Sequence, residues 1–183
     1  MFALMRHLSL ATLLATTTLT PALAQETTEQ PVFGWVEKAL VEPWGVEVKA
    51  KLDSGALTSS LDARDIERFE KDDEDWVRFR LELEDEATGE MFEKTLERPV
   101  NRDLVLRGAG GTSHRPTVIM TICLGDTRYE EDFSLRNRSK MNYPLLLGRR
   151  TISHLGVLDV DKTFLSDPGC DEDSKTVPYA DEK

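Results

Sequence analysis

The chain has 183 residues, with 34 acidic against 23 basic side chains, three His and two Cys. That length holds one modest domain and excludes an enzyme built from two lobes within one chain. Hydrophobic content of 39% beside 31% charge still supports a packed core, while the acidic excess repels phosphate backbones and anionic lipid and so counts against nucleic acid as a partner.

Residues 1–24 carry Arg6 as a positive start, an apolar run centred on Leu8 to Leu14, and small residues at Ala22 and Ala24. This is the pattern of a secretory signal peptide cut after Ala24. The alternative is an uncleaved membrane anchor, but the apolar run falls short of the about 20 residues that a spanning helix needs. Gln25 follows the cut, where a lipoprotein would have Cys. The leader looks bacterial, so a periplasmic mature chain of 159 residues is expected, with no membrane attachment after cleavage. Residues 25–31 read as a flexible polar arm, 32–166 as the domain and 167–183 as an acidic tail with no role beyond solvation.

From Val32 onward, short apolar-periodic runs alternate with turn signals. A first run at 33–41 and a second at 46–52 flank Glu42-Pro43-Trp44-Gly45 and predict a hairpin that runs into Asp53-Ser54-Gly55. Residues 76–83 put Val77, Phe79, Leu81 and Leu83 on one face and Arg78, Arg80 and Glu82 on the other, the period of two of a half-buried strand. Ala87-Thr88-Gly89 turns the chain back into a strand over 91–96, and further strands are expected at 104–107, 117–124 and 128–135, the last two joined by Gly125-Asp126. Three stretches break the rhythm. Asp62 to Glu70 and Arg149 to Leu155 are each expected to form a short helix, and Arg107 to Pro116, with Gly108, Gly110 and Gly111, is a mobile loop or hairpin tip. The spacing predicts an all-β closed barrel or sandwich with one or two short helices.

Two cysteines in an exported chain allow one bridge, Cys123 to Cys170. Cys123 also fits a strand pattern as a small buried hydrophobe, and the sequence leaves both readings open.

Lys49 to Ala56 places an Asp at the end of an alternating strand, followed by Ser and Gly. Alone, Asp-Ser-Gly is a turn in which Asp caps amides. It is also what an aspartic protease needs: a carboxylate at a strand tip, small neighbours that let two such loops meet, and a hydroxyl to bond across them. About ninety residues later comes an apolar strand, Tyr143 to Leu147, that ends in Gly148-Arg149. With DSGALTSS at 53–60 and MNYPLLLGRR at 141–150, the chain resembles the retropepsin-like aspartic proteases, and among them the bacterial group labelled "ATP-dependent zinc protease", over roughly Val32 to Leu165.

The resemblance implies a retropepsin-like acid-protease barrel with Asp53 as the catalytic carboxylate. It implies Ser54 as the hydroxyl of interlocking loops, Gly55 and Ala56 as close-approach positions, and Gly148-Arg149 as the brace behind the loop. The stretch with Gly108, Gly110, Gly111 and His114 takes the place of the flap over a bound peptide. The label's zinc and ATP find no support in the residues. There is no His-Glu-x-x-His for zinc and no glycine-rich loop with Lys for phosphates, so no metal and no cofactor are expected. Hydrolysis by this route uses two carboxylates sharing a proton, and Asp-(Ser/Thr)-Gly occurs once in the chain. A homodimer is therefore expected, with a peptide or protein as substrate. The competing expectation is an inactive module of the same fold that binds extended peptides in the periplasm. Trp35, Trp44 and Trp76 read as core or interface anchors, and Asn137-Arg138-Ser139 is no more than a glycosylation triplet.

Overall fold

The computed structural model describes residues 30–108 and 111–180. The stretch expected as a signal peptide and most of the expected arm, residues 1–29, lie outside the described residues, as do Ala109, Gly110 and residues 181–183.

The expected first hairpin is present as β1 (Val32–Val41) and β2 (Val46–Asp53), paired antiparallel from Val36↔Lys51 to Val41↔Val46. Gly45 closes its turn at φ 66°, a left-handed value that glycine adopts without steric cost. In β2 the side chains of Val46, Val48, Ala50 and Leu52 are buried and the residues between them half-buried, so the alternation read from sequence is the alternation of the pleat. β3 (Ser59–Asp62) follows the Asp53 loop.

The chain then leaves the main sheet to build a separate three-stranded one from β4 (Arg64–Lys71), β5 (Glu74–Glu84) and β6 (Met91–Pro99). The helix expected over Asp62 to Glu70 is therefore a strand. A helix there would offer only Ala63, Ile66 and Phe69 as a thin apolar stripe, whereas the strand covers an edge of β5 and satisfies its backbone. Charge pairs across the sheet reinforce it: Arg78 of β5 meets Glu67 of β4 at 3.2 Å and Glu97 of β6 at 2.8 Å. The acidic run at 70–75 is the β4–β5 turn, with Asp72 and Asp73 both at positive φ. Val77, Phe79, Leu81 and Leu83 face inward and join the hydrophobic core. Full burial of side chains this size stabilises by about 1.5–3 kcal/mol each, an upper estimate.

The remaining elements complete the main sheet. β7 (Arg102–Gly108) and β8 (Gly111–Leu124) form a hairpin closed at Gly108↔Gly111, and the inner half of β8 pairs with β9 (Thr127–Arg136). β10 (Leu145–Gly148) leads into α1 (Arg149–Leu155), the one helix among the described residues, and then into β11 (Val157–Thr163) and the short β12 (Thr176–Val177). The order is β11-β1-β2-β10-β3-β9-β8-β7, with β12 beside β9. Pairing of Leu40 with Cys123 and Val41 with Ile122 joins β1 to β8 and closes the sheet into a ring. The all-β, retropepsin-like reading holds in this ring-like form.

The tail is not merely solvated. Cys170 is bonded to Cys123 across a sequence separation of 47, and β12 lies parallel to β9 through Thr176↔Arg128 and Val177↔Tyr129. A charge pattern alone carries no trace of this, because the tether is set by a cysteine on β8 that also reads as core.

Candidate active site

β2 and β3 are consecutive strands, yet they do not pair with each other. β10 slots between them, parallel to β2 through Gly148↔Asp53 and antiparallel to β3 through Leu145↔Leu61. The loop from Asp53 to Thr58 is thereby held over the end of β10. Its turn is closed by the Ala56 amide donating to the Asp53 carbonyl at 3.1 Å, and the Gly55 amide donates to Asp53 Oδ1 at 3.0 Å. Lys51 Nζ donates to the other oxygen, Oδ2, at 3.0 Å. Asp53 is half-buried, whereas Ser54, Gly55 and Leu57 are exposed, so the loop presents its tip to solvent. The Lys51 hydrogen bond, ahead of the Coulombic pull of the same ammonium and the Gly55 and Ala56 amides, holds the Asp53 carboxyl below the usual carboxylate range against the opposing effect of burial.

Behind the tip the loop is bonded at several points. The Arg149 amide donates to the Ala56 carbonyl at 2.9 Å, and the Gly148 amide donates to Ser59 Oγ at 2.9 Å. Ser59 meets Thr151 Oγ1 at 2.8 Å, Thr151 donates to Glu131 at 2.7 Å, and Glu131 engages His154. The brace implied at Gly148-Arg149 is thus made by backbone, while the Arg149 side chain is exposed. Gly148 must be glycine: a Cβ there would lie 2.6 Å from the Thr58 carbonyl carbon and 2.8 Å from its nitrogen. Gly148→Ala is expected to push the loop out of place and, under the aspartic-peptidase expectation, to lower cleavage by about 100-fold, since a displacement near 1 Å can cost that much. Activity at least one-third that of the parent, with unchanged circular dichroism, would contradict this close approach.

The stretch expected as the flap forms the β7–β8 hairpin, closed at Gly108 and Gly111, with Gly110 outside the described residues. His114 is exposed on its second strand, opposite Val105. Trp35 packs edge-on against Tyr143 at 6.1 Å, and Trp44 and Trp76 pack at a tilt against Phe92 and Phe69, in keeping with anchoring roles. Cys123 and Cys170 are consumed by their disulfide, and no group of three or more His, Cys, Asp or Glu among the described residues is arranged to hold a metal ion.

One feature of the site escaped sequence reasoning. Arg138, in the triplet read only as a glycosylation pattern, is buried; its amide donates to the Asp62 carboxylate and its Nε to the Tyr143 carbonyl at 3.0 Å. Burial lowers its pKa and so does repulsion from Arg136 and Arg115, while Asp62 and Asp53 pull the other way. Arg115 on β8 is likewise lowered by burial and by Arg136. Three arginines thus gather from β8, the end of β9 and the segment after it, and of these Arg138 feels the charge of Asp53. The closeness of Arg136 and Arg138 in an acidic chain was the available signal. A separate cavity of about 260 Å³ lies between Thr58, Ser59, β9, α1 and the tail residues Val177 to Ala180, and Asp53 does not line it.

A family model described as RimB-like, retropepsin-like aspartic endopeptidase RimB, matches residues 32–168. Proteins named "Probable alpha-L-glutamate ligase" from Shewanella pealeana and Desulfotalea psychrophila are both 32% identical to the chain, over 117 and 113 residues. These matches cover 64% and 61% of the chain but 25% and 24% of the relatives, so the chain spans about a quarter of the length of the curated relatives it matches. The crystal structure of a Legionella pneumophila protein of unknown function superposes with a TM-score of 0.61 at 32% identity, covering 74% of this chain and 98% of that one.

Proposed function

The chain belongs to the RimB-like family of retropepsin-like aspartic endopeptidases, and from that premise we propose that it hydrolyses peptide bonds with a carboxylate pair made from two copies of Asp53. The observation that carries this reading is the Asp53 loop itself, braced from behind by β10 and α1 and presenting Asp53, Ser54 and Leu57 outward. Two carboxylates about 3 Å apart cannot both ionise freely and share a proton. One takes a proton from water as its oxygen attacks the peptide carbonyl carbon, and the other gives its proton to the carbonyl oxygen. As the diol collapses and the C–N bond breaks, the first carboxyl gives the proton it took from water to the leaving nitrogen and the second takes back a diol hydroxyl proton, restoring the singly protonated pair. One chain brings one such aspartate, so the active species is a two-fold homodimer with the loop tips on its axis.

The substrate class follows from charge. Arg115, Arg136 and Arg138 create a local positive field in an otherwise acidic protein, which favours a peptide with carboxylate side chains. The relatives named "Probable alpha-L-glutamate ligase" point the same way, and α-linked glutamate oligomers are the substrate we propose. The Cys123–Cys170 disulfide supports an oxidising compartment, consistent with export to the periplasm.

The test incubates purified residues 25–183 with α-linked glutamate oligomers and with neutral peptides, from acidic to neutral pH, with and without EDTA, while sedimentation gives the mass. The expected result is EDTA-insensitive cleavage, preferential for the oligomers, by a species of two chains. Peptide binding without cleavage would favour the inactive-module alternative, and cleavage by a strict monomer would overturn the shared dyad.

A further inference from the structure

Lys51 and Asp53 stand two residues apart in β2, so their side chains leave the same face of the strand. Their contact divides the Asp53 carboxylate into two unlike ends: a neutral amide, Gly55 N–H, holds Oδ1 at 3.0 Å, and an ammonium holds Oδ2 at 3.0 Å. With side chains 35% and 27% exposed, Lys51 and Asp53 are partly shielded from solvent. The register partners of Lys51 on the flanking strands, Val36 on β1 and Leu146 on β10, are both uncharged. Around Asp53, the opposite residue on β10 is Gly148, followed by the exposed Arg149. Beyond β3, Arg138 adds a further positive influence, itself engaged with Asp62, which also pairs with Arg64. The nearest cation to the carboxylate is thus on its own strand.

We propose that Lys51 is the positioning residue of this site, fixing the plane of the Asp53 carboxylate through Oδ2 and setting the pH range in which the Asp53 pair holds its shared proton. This rests on the peptidase reading and deepens it. In a dyad the last proton leaves against the charge of the carboxylate already ionised. An ammonium on each outer oxygen offsets that charge, so both proton losses move to lower pH, and the singly protonated form occupies a more acidic window.

Two variants separate charge from shape. Lys51→Met keeps the apolar stem and removes the charge; Lys51→Arg keeps the charge. The titration of the Asp53 carboxyl carbon by NMR reads the proposal without reference to cleavage: both apparent midpoints are expected to rise in Lys51→Met and to stay near the parent in Lys51→Arg. The bell-shaped profile of kcat/KM against pH is expected to move to higher pH in the Met variant alone. Stability gives a third reading with a fixed sign. A carboxylate whose folded pKa is depressed stabilises above its unfolded value and loses that contribution as pH falls through the folded one. The stability gap between parent and Lys51→Met is therefore expected to close on acidification. Unmoved midpoints, or a bell that shifts in both variants, would overturn the role of Lys51. Midpoints raised in Lys51→Met, beside a parent that cleaves nothing, would uphold the Lys51 effect on Asp53 and sink the peptidase reading instead.

Discussion

Asp53→Asn is expected to lower kcat for peptide cleavage by about 10³-fold or more, the scale on which positioned acid–base groups act. The substitution changes little in shape. An amide oxygen still accepts the Gly55 N–H that holds Oδ1 at 3.0 Å, and the backbone turn through Ala56 does not involve the side chain. What is lost is the ability to take a proton from water and to share one with a second carboxyl. In a two-fold assembly both members of the pair change together, so no unaltered base remains. The exposed loop tip and its brace through Gly148, Arg149 and Ser59 stay in place, so sedimentation is expected to show an unchanged mass. Cleavage assayed with quantified α-glutamate oligomers, beside circular dichroism, decides the point. Activity within tenfold of the parent would mean that Asp53 is not the catalytic carboxylate.

The second large effect concerns stability. Glu37 is fully buried in β1, and its carboxyl oxygens accept the amides of Gly34, Leu165 at 3.0 Å and Ser166 at 3.1 Å, with Ser166 Oγ at 3.3 Å. The chain leaving β11 passes through Phe164 at positive φ, and its amide donates to the Val36 carbonyl at 2.8 Å. Glu37 is the clamp that seats this segment on β1. Glu37→Ala leaves three amides without their acceptor and opens a polar cavity, a loss of about 3 kcal/mol or more. For a domain of this size that lowers the melting temperature by about 9 °C. Thermal unfolding of the oxidised protein measures it, and a drop under 2 °C would show that water replaces the carboxyl group at no cost.

Glu37 also shows where sequence stops being informative. Its neighbours Val36 and Ala39 announce a strand, and a glutamate within such a run reads as the solvent face. Only Leu165 and Ser166, nearly 130 residues away, make it a core residue. The same divide runs through the whole molecule. The β1–β2 and β5–β6 hairpins, the Gly125 turn, the α1 helix and the Asp53 loop were legible because each is written in a period of two or a turn residue within a few positions. β4 was not, since its charged residues become a strand only against Arg78 and its neighbours on β5. Arg138 was missed for a related reason: its burial depends on Asp62 and Tyr143 meeting around it. The tail was tied to Cys123 in the sequence only as one of two open readings, and the formed Cys123–Cys170 bridge is the one that sets its place.

The slotting of β10 between β2 and β3 has a consequence in time. During synthesis the Asp53 loop emerges long before Gly148, and the two strands that carry it have no partner in common until residues 145–148 arrive. Such distant pairings make folding slow, because the loop-closure entropy falls due before the contacts form. A growing chain therefore holds its acid without the scaffold that aims it. Under the peptidase reading proposed above, cleavage waits on residues 145–148 and so follows the making of the acid by almost a hundred residues.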